Sequence, residues 1–349
     1  NFRKMKSPII ILIGGSPSSG STMLANLLDS SPYSVCGPEL GLFALRELYL
    51  NFNQVNLNNY ERSPSPHASS VGLYVKSLSK YGLNKDELGQ LITNNTNVND
   101  FVLEFFDYFS AIRGKHEAFL FFEKTPQNIY TAELFLDSIV DSKFYVTTRN
   151  PAAVLQSLVR RGYSPYTALV TWLVSVCKYE RLKHRESVKL IRYEDVTQAP
   201  FSYISTLLLE SDIESSITEI ERAYKNNSYR RVSENRISSW GGSFDSFRIP
   251  KQRSDKNEKI VESFWNHSLS EKLCLAMDIR RLTIGEAVSL TGYSACFDSD
   301  KATQSNNSKH RDMIRKTQTL QEKYWMFHKW RAKGAFHLKA SVLQFVTPL

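Results

Sequence analysis

Paired cysteines and long apolar runs are what this chain lacks. Its 349 residues include four cysteines, Cys36, Cys177, Cys274 and Cys296, and no two form a CxxC. Such wide spacing supports neither a zinc site nor a dithiol motif, although it leaves a disulfide between any two open. No stretch reaches the ~20 apolar residues of a membrane-crossing helix, and the longest early run, Pro8 to Ile13, falls far short. A signal-peptide pattern is missing too. These absences point to a cytoplasmic protein without a membrane partner. The chain begins at Asn1 and not at Met, which leaves room for an anchor ahead of it. No zinc-finger, RNP or other nucleic-acid signature occurs, so nucleic acid is not an expected partner. Four formal glycosylation sequons, starting at Asn94, Asn226, Asn266 and Asn306, read as chance in so Asn-rich a chain.

Cations and apolar side chains are plentiful. Lys and Arg number 44 against 35 Asp and Glu, a formal charge of +9, which favours an anionic ligand or substrate. With 42% hydrophobic and 12% aromatic residues the chain can bury a sizeable core.

The most informative segment is Ile9 to Thr22, IIILIGGSPSSGST. An apolar strand runs into Gly14-Gly15, a turn of Ser16-Pro17-Ser18-Ser19 follows, and after Gly20-Ser21-Thr22 a helical stripe of Met23, Leu24, Leu27 and Leu28 begins. A strand–loop–helix of this kind aims backbone N–H groups and a helix N-terminus at one spot, which suits a phosphate or sulfate. Gly15, Gly20 and Thr22 occupy the P-loop places of G-x-x-x-x-G-K-[ST], but Ser21 stands where its lysine should be. Hydrolysis of a nucleoside triphosphate is therefore not expected, because that lysine handles the β/γ-phosphates.

Four segments read as buried parallel strands: Ile9–Ile13, Ala118–Phe122, Lys143–Thr148 and Val188–Arg192. Helical patterns such as Ala152–Arg161 and Tyr166–Lys183 separate them. The alternation predicts an α/β fold with a P-loop-like central parallel sheet flanked by helices. Ligands of such sheets bind beyond the carboxyl ends of the strands. Residues 1–298 are expected to form one domain, with a lid loop over 51–70. Residues 299–349 are expected to form a linker and a helical C-terminal extension packed on that domain. Arg149-Asn150-Pro151 ends the third strand, and Ser157 follows inside the next helix. Arginine supplies a fork of donors and serine a hydroxyl, so the two could grip one phosphate.

Taken together, these motifs resemble the sulfotransferases that use 3′-phosphoadenosine 5′-phosphosulfate (PAPS), over roughly Pro8 to Pro200. The loop Gly15–Thr22 resembles their 5′-phosphosulfate loop, Arg149 and Ser157 their 3′-phosphate pair, and Tyr193-Glu194-Asp195-Val196 their "YEDL" segment. Glu123-Lys124-Thr125-Pro126 resembles their EK[ST]P segment, and Cys36-Gly37-Pro38-Glu39 stands where tyrosylprotein, bacterial and carbohydrate types carry a glutamate base. The resemblance implies that Glu39 accepts the acceptor's proton. It implies that Lys124 stabilises charge on the sulfuryl group and the leaving phosphate. Ser18, Ser19, Gly20, Ser21 and Thr22 would hold the phosphosulfate. Arg149 and Ser157, with Arg161 and Tyr193, would hold the 3′-phosphate. Arg236 to Arg253 would close over the cofactor. No metal is implied, and the product is adenosine 3′,5′-bisphosphate (PAP).

Two departures qualify the match. Ser18 replaces the usual Lys or Arg of P-[KR]-S-G, which removes a cation from the loop. Leu40-Gly41 follows Glu39 where the tyrosylprotein type has an arginine, which shifts the expected acceptor from peptide tyrosine toward a small molecule bearing a hydroxyl or amine. A protein-tyrosine or carbohydrate acceptor stays open as an alternative. So do a P-loop nucleotide kinase and a non-catalytic PAP-binding module.

Overall fold

The computed structural model describes residues 8–60, 72–227 and 255–297. Its centre is a five-stranded, all-parallel sheet of order β2-β3-β1-β4-β5. The strands are β1 (Ile9–Gly15), β2 (Ser34–Cys36), β3 (Leu120–Lys124), β4 (Ser142–Thr148) and β5 (Val188–Arg192). A parallel sheet needs cover on both faces, so its strands read as continuous apolar runs. In β1, Ile10 and Leu12 enter the core on one side, while Ile11 and Ile13 enter the core on the other. The period of two in side-chain direction is what splits one apolar run between two cores.

The helices used below are α1 (Ser21–Leu28), α2 (Val98–Ile112), α3 (Ala132–Ser138), α4 (Pro151–Val159), α5 (Pro165–Leu182), α6 (Tyr193–Gln198), α7 (Pro200–Leu209), α8 (Ile217–Asn226), α9 (Asp255–Ser263), α10 (Glu271–Met277) and α11 (Ile284–Leu290). The larger core gathers Phe101, Phe105, Phe106 and Phe109 of α2 around Phe121 and Phe43. These rings meet edge-on or tilted, as between Phe105 and Phe121 at 5.8 Å and 78°, a geometry their quadrupoles favour. The smaller core sets Leu24, Leu27 and Leu28 of α1 against Ile204, Leu207 and Leu208 of α7.

Local chemistry fixes the ends of the helices that feed the sheet. Pro151 and Pro165 stand in the first turns of α4 and α5, where a missing N–H costs nothing. Asn150 accepts from the N–H of Ala152, and Ser164 accepts from that of Thr167, each acting as an N-cap.

The predicted helices 152–161 and 166–183 match α4 and α5 within two residues at each end. Two strand readings need correction. Strand β2 was not among the four predicted, since three residues are too few to show a period. Strand β3 lies two residues later than predicted, its pairing starting at Leu120 opposite Ile9 and Ser34. The ladder then runs on through Glu123 and Lys124.

In the expected lid, residues 51–60 form short 3-10 turns with Phe52, Leu57 and Tyr60 in the core. Residues 61–70, the closing segment 236–253 and the C-terminal extension 299–349 lie outside the described residues. The four cysteines are free thiols, three of them buried. No helix among the described residues is long and apolar enough to cross a membrane.

Candidate active site

Gly14-Gly15 ends β1 beside Thr147 of β4, and the approach is so close that a Cβ on Gly15 would lie 2.2 Å from the Thr147 carbonyl oxygen. The loop then turns through three positive-φ residues, Gly15 (139°), Ser18 (69°) and Gly20 (87°). Glycine takes such angles freely, whereas Ser18 takes its angle at a cost. Side chains hold the turn in place. The Ser19 hydroxyl lies 2.6 Å from the Ser16 carbonyl and 2.7 Å from Thr147 Oγ1, and the Thr147 hydroxyl donates to the Gly14 carbonyl at 3.1 Å. Ser18 and Ser157 join hydroxyl to hydroxyl at 3.0 Å. The loop and helix α4 are thereby tied together across the place where the sequence lacks its cation. Helix α1 starts after Gly20 with no side-chain cap, so its first N–H groups point out of the turn.

Lys124, at the end of β3, bridges two of the expected residues. Its ammonium donates to Thr22 Oγ1 at 3.0 Å and to Glu39 Oε1 at 2.6 Å. The Lys124 side chain is 4% exposed and that of Glu39 27%, so the lysine is sealed in and the carboxylate faces open space. A second carboxylate sets the position of the first. Glu123 is fully buried, and it accepts from the Leu40 N–H at 3.0 Å, the Thr125 hydroxyl at 2.7 Å and the Asn128 amide at 2.6 Å. Burial raises its pKa, and those hydrogen bonds oppose the rise. The Thr125 hydroxyl also accepts from the Gly41 N–H at 3.0 Å. Gly41 has φ of 74°, and a Cβ there would meet the Gly72 carbonyl oxygen at 2.1 Å. No side chain, arginine included, could follow Leu40 in this backbone.

At the other end of the site, Arg149 leaves β4 with its guanidinium carbon 4.1 Å from the centroid of the Tyr193 ring, a cation–π stack. The same ring covers Gly20, where a Cβ would sit 2.2 Å from Tyr193 Cδ2. The loop, the arginine and the tyrosine thus form one continuous wall. The Trp172 indole N–H donates to the Arg149 carbonyl at 3.1 Å. Glu194 clamps the turn from below, accepting from the Asn150 N–H at 3.1 Å and from the Tyr293 hydroxyl at 2.6 Å. Arg149 Nε is buried and has no hydrogen-bond partner among the described residues, an orphan donor of the kind that a bound anion satisfies. Arg161 lies just past α4. Desolvation lowers its guanidinium pKa, and the charge of Glu39 works against that shift.

The expected site residues therefore meet along the carboxyl edge of β1, β3, β4 and β5. Glu39, Lys124 and Thr22 form one group; Ser18, Ser157, Gly20, Tyr193 and Arg149 form the other. Ser19 turns inward and shapes the loop from within. Glu123 and Glu194 were quoted in their motifs without a role, and both prove to be buried or clamping carboxylates. The available signal was an acidic residue set directly beside a motif residue at a strand end.

Sheet order and glycine loop define an α/β protein of P-loop-like build. The chain belongs to the sulfotransferase family, whose profile matches residues 8–215, more than half its length. Among solved structures, the sulfotransferase domain of the Synechococcus PCC 7002 olefin synthase is 19% identical, with 74% of this chain and 95% of that one covered at a TM-score of 0.45. The sulfotransferase domain from the curacin biosynthetic pathway is 20% identical, covering 74% and 96% at 0.46. A sulfotransferase from Alicyclobacillus acidocaldarius is 13% identical, covering 84% and 98% at 0.36. No curated protein matches.

Proposed function

We propose that this sulfotransferase moves a sulfuryl group from PAPS to a hydroxyl or amine of a small-molecule acceptor. The observation that carries the reading is the chain of contacts from Glu39 through Lys124 to Thr22 at the lip of the glycine loop. It sets a carboxylate, an ammonium and a helix N-terminus around one point. PAPS supplies an activated sulfuryl group whose leaving group is PAP. Arg149 and Ser157 hold the 3′-phosphate, with Tyr193 backing the guanidinium and Arg161 assigned to the same phosphate. Ser18, Ser21, Thr22 and the backbone from Ser19 to Thr22 face the phosphosulfate. Glu39 takes the acceptor's proton through Oε2, since Oε1 is occupied by Lys124. Lys124 stabilises the charge that develops on the transferred group and on the leaving phosphate. Because its ammonium is sealed from water, that interaction acts at low effective dielectric.

The acceptor assignment rests on the closed backbone at Leu40-Gly41, which leaves no place for the arginine of the tyrosylprotein type. The test is transfer from radiolabelled PAPS to a panel of phenols, alcohols and amines, beside a tyrosine peptide and an oligosaccharide. Labelled small-molecule product from the wild type, with turnover lost in Glu39→Gln and PAP affinity retained, supports the reading. Retained turnover in Glu39→Gln removes Glu39 as the base, and labelling of the peptide or saccharide alone overturns the acceptor class.

A further inference from the structure

Apart from the glycine-loop edge, a polar cavity of about 330 Å³ opens between α3, α5 and the end of α10. None of the residues assigned to the cofactor lines it. Two of its cations are neutralised in place. Arg181 pairs with Glu133 at 2.6 Å and with Asp278 at 3.0 Å, and Arg185 pairs with Asp137 at 2.7 Å. The other two have no ion-pair partner among the described residues. The Arg46 side chain makes no hydrogen bond or ion pair with any described residue and its Nε is buried without an acceptor, although Glu47, Glu133 and Asp278 act on its charge from further away. Lys178 is 7% exposed and donates to the Met277 carbonyl at 2.6 Å, with no carboxylate in ion-pair range among the described residues. Burial pulls the Lys178 pKa down to about 8, Glu133 opposes that shift, and the neighbouring Arg46 adds to it. Two desolvated cations that face one cavity and repel each other are an arrangement that an anion relieves.

We propose that this cavity binds a small ligand through an oxyanion group, a carboxylate, sulfate or phosphate held between Arg46 and Lys178. The anion would give Arg46 Nε its missing acceptor. A guanidinium offers a planar fork and an ammonium a point charge, and together they suit two oxygens of one group. The volume lies at the small end of ligand sites, which run from about 300 to 1,000 Å³. Asp137 and Asp278 stand at the rim, with side chains 60% and 69% exposed. Their charge disfavours a larger polyanion such as a nucleoside triphosphate and selects a compact group.

Selenate soaked into crystals of the full chain tests the location directly, because its anomalous signal marks where it binds. The proposal expects a peak between Arg46 and Lys178, whether or not one also appears at the glycine loop. In solution, sulfate titrated calorimetrically into Arg149→Ala, whose 3′-phosphate subsite is weakened for anions, should bind saturably. Adding Arg46→Gln or Lys178→Met to that background should weaken binding about tenfold or more, the loss of one charge-assisted contact. Lys178→Met removes a buried hydrogen bond, so Arg46→Gln, at a half-buried position, decides the matter if the first variant does not fold. No peak in the cavity at saturating selenate, or sulfate affinity unchanged by Arg46→Gln, overturns the proposal.

Discussion

A methyl group on Gly20 would sit 2.2 Å from the Tyr193 ring, at a φ of 87° that side chains rarely adopt. Gly20→Ala must therefore push Tyr193 away and with it the support under Arg149. PAP affinity, read by calorimetry, should fall by about tenfold or more, the loss of a charge-assisted contact or greater. Gly89 is the control, since nothing lies within 4 Å of its added Cβ and it sits inside a helix (Lys85–Thr93). Gly89→Ala should stabilise the fold by roughly 0.5–1 kcal/mol and leave PAP affinity alone, as thermal melting and the same titration would show. At this scale the sequence was legible where the backbone needs a glycine, as at Gly15 and Gly20, and in the position of Arg149 just past a strand end. It was not legible at Glu123, whose partners Leu40, Thr125 and Asn128 come together only in the fold. Nor was it legible at Lys178, although a lysine amid the apolar residues of α5 was a signal to read.

Strand β3 carries chemistry on both sides of its end. Lys124 reaches Thr22 and Glu39, and Glu123 faces the protein, where it pins the Leu40 N–H beside Glu39. Removing the Glu123 carboxylate leaves three buried donors without their acceptor, each costing about 1–3 kcal/mol before relaxation. Glu123→Ala should thus lower the stability measured in urea by about 2–4 kcal/mol. In the fraction that folds, turnover should fall while PAP affinity holds, because Arg149 and Tyr193 lie elsewhere. Loss of PAP affinity in parallel with turnover would mean that Glu123 supports the whole edge and not the base segment. Among the elements, the strands of five or more residues were readable in the sequence. Strand β2 was not, since Ser34–Cys36 gains its identity only by lying against Leu120–Phe122.

At the scale of the whole molecule, parallel-sheet topology gathers the expected site residues at one edge, and the buried lysine of the polar cavity sits apart from it. That lysine gives the fold a pH signature. Its pKa is lowered from 10.5 to about 8, chiefly by burial, with Glu133 and Asp278 favouring the charged form and Arg46 and Arg181 opposing it. Between about pH 8 and 10.5 the unfolded chain holds a proton that the folded chain has lost, so this group's contribution to stability rises with pH through that window. Below about pH 8 both states are protonated and the cost of the buried charge is fully present. Lys178→Met removes the term. The wild type should therefore gain stability relative to the variant as pH goes from 7 to 10, read as the difference between their urea midpoints. A difference that stays constant with pH would show that Lys178 titrates normally.

The central claim is that the loop, Arg149 and Tyr193 form a site for a PAPS-derived nucleotide, and thermal stabilisation by PAP against ATP–Mg²⁺ tests it most directly. A ligand that binds only the folded state adds about 2.7 kcal/mol at a hundredfold excess over Kd. A site for PAP gives a clear shift with PAP that Arg149→Ala abolishes, and little shift with ATP–Mg²⁺. A shift with ATP–Mg²⁺ and none with PAP would contradict that claim.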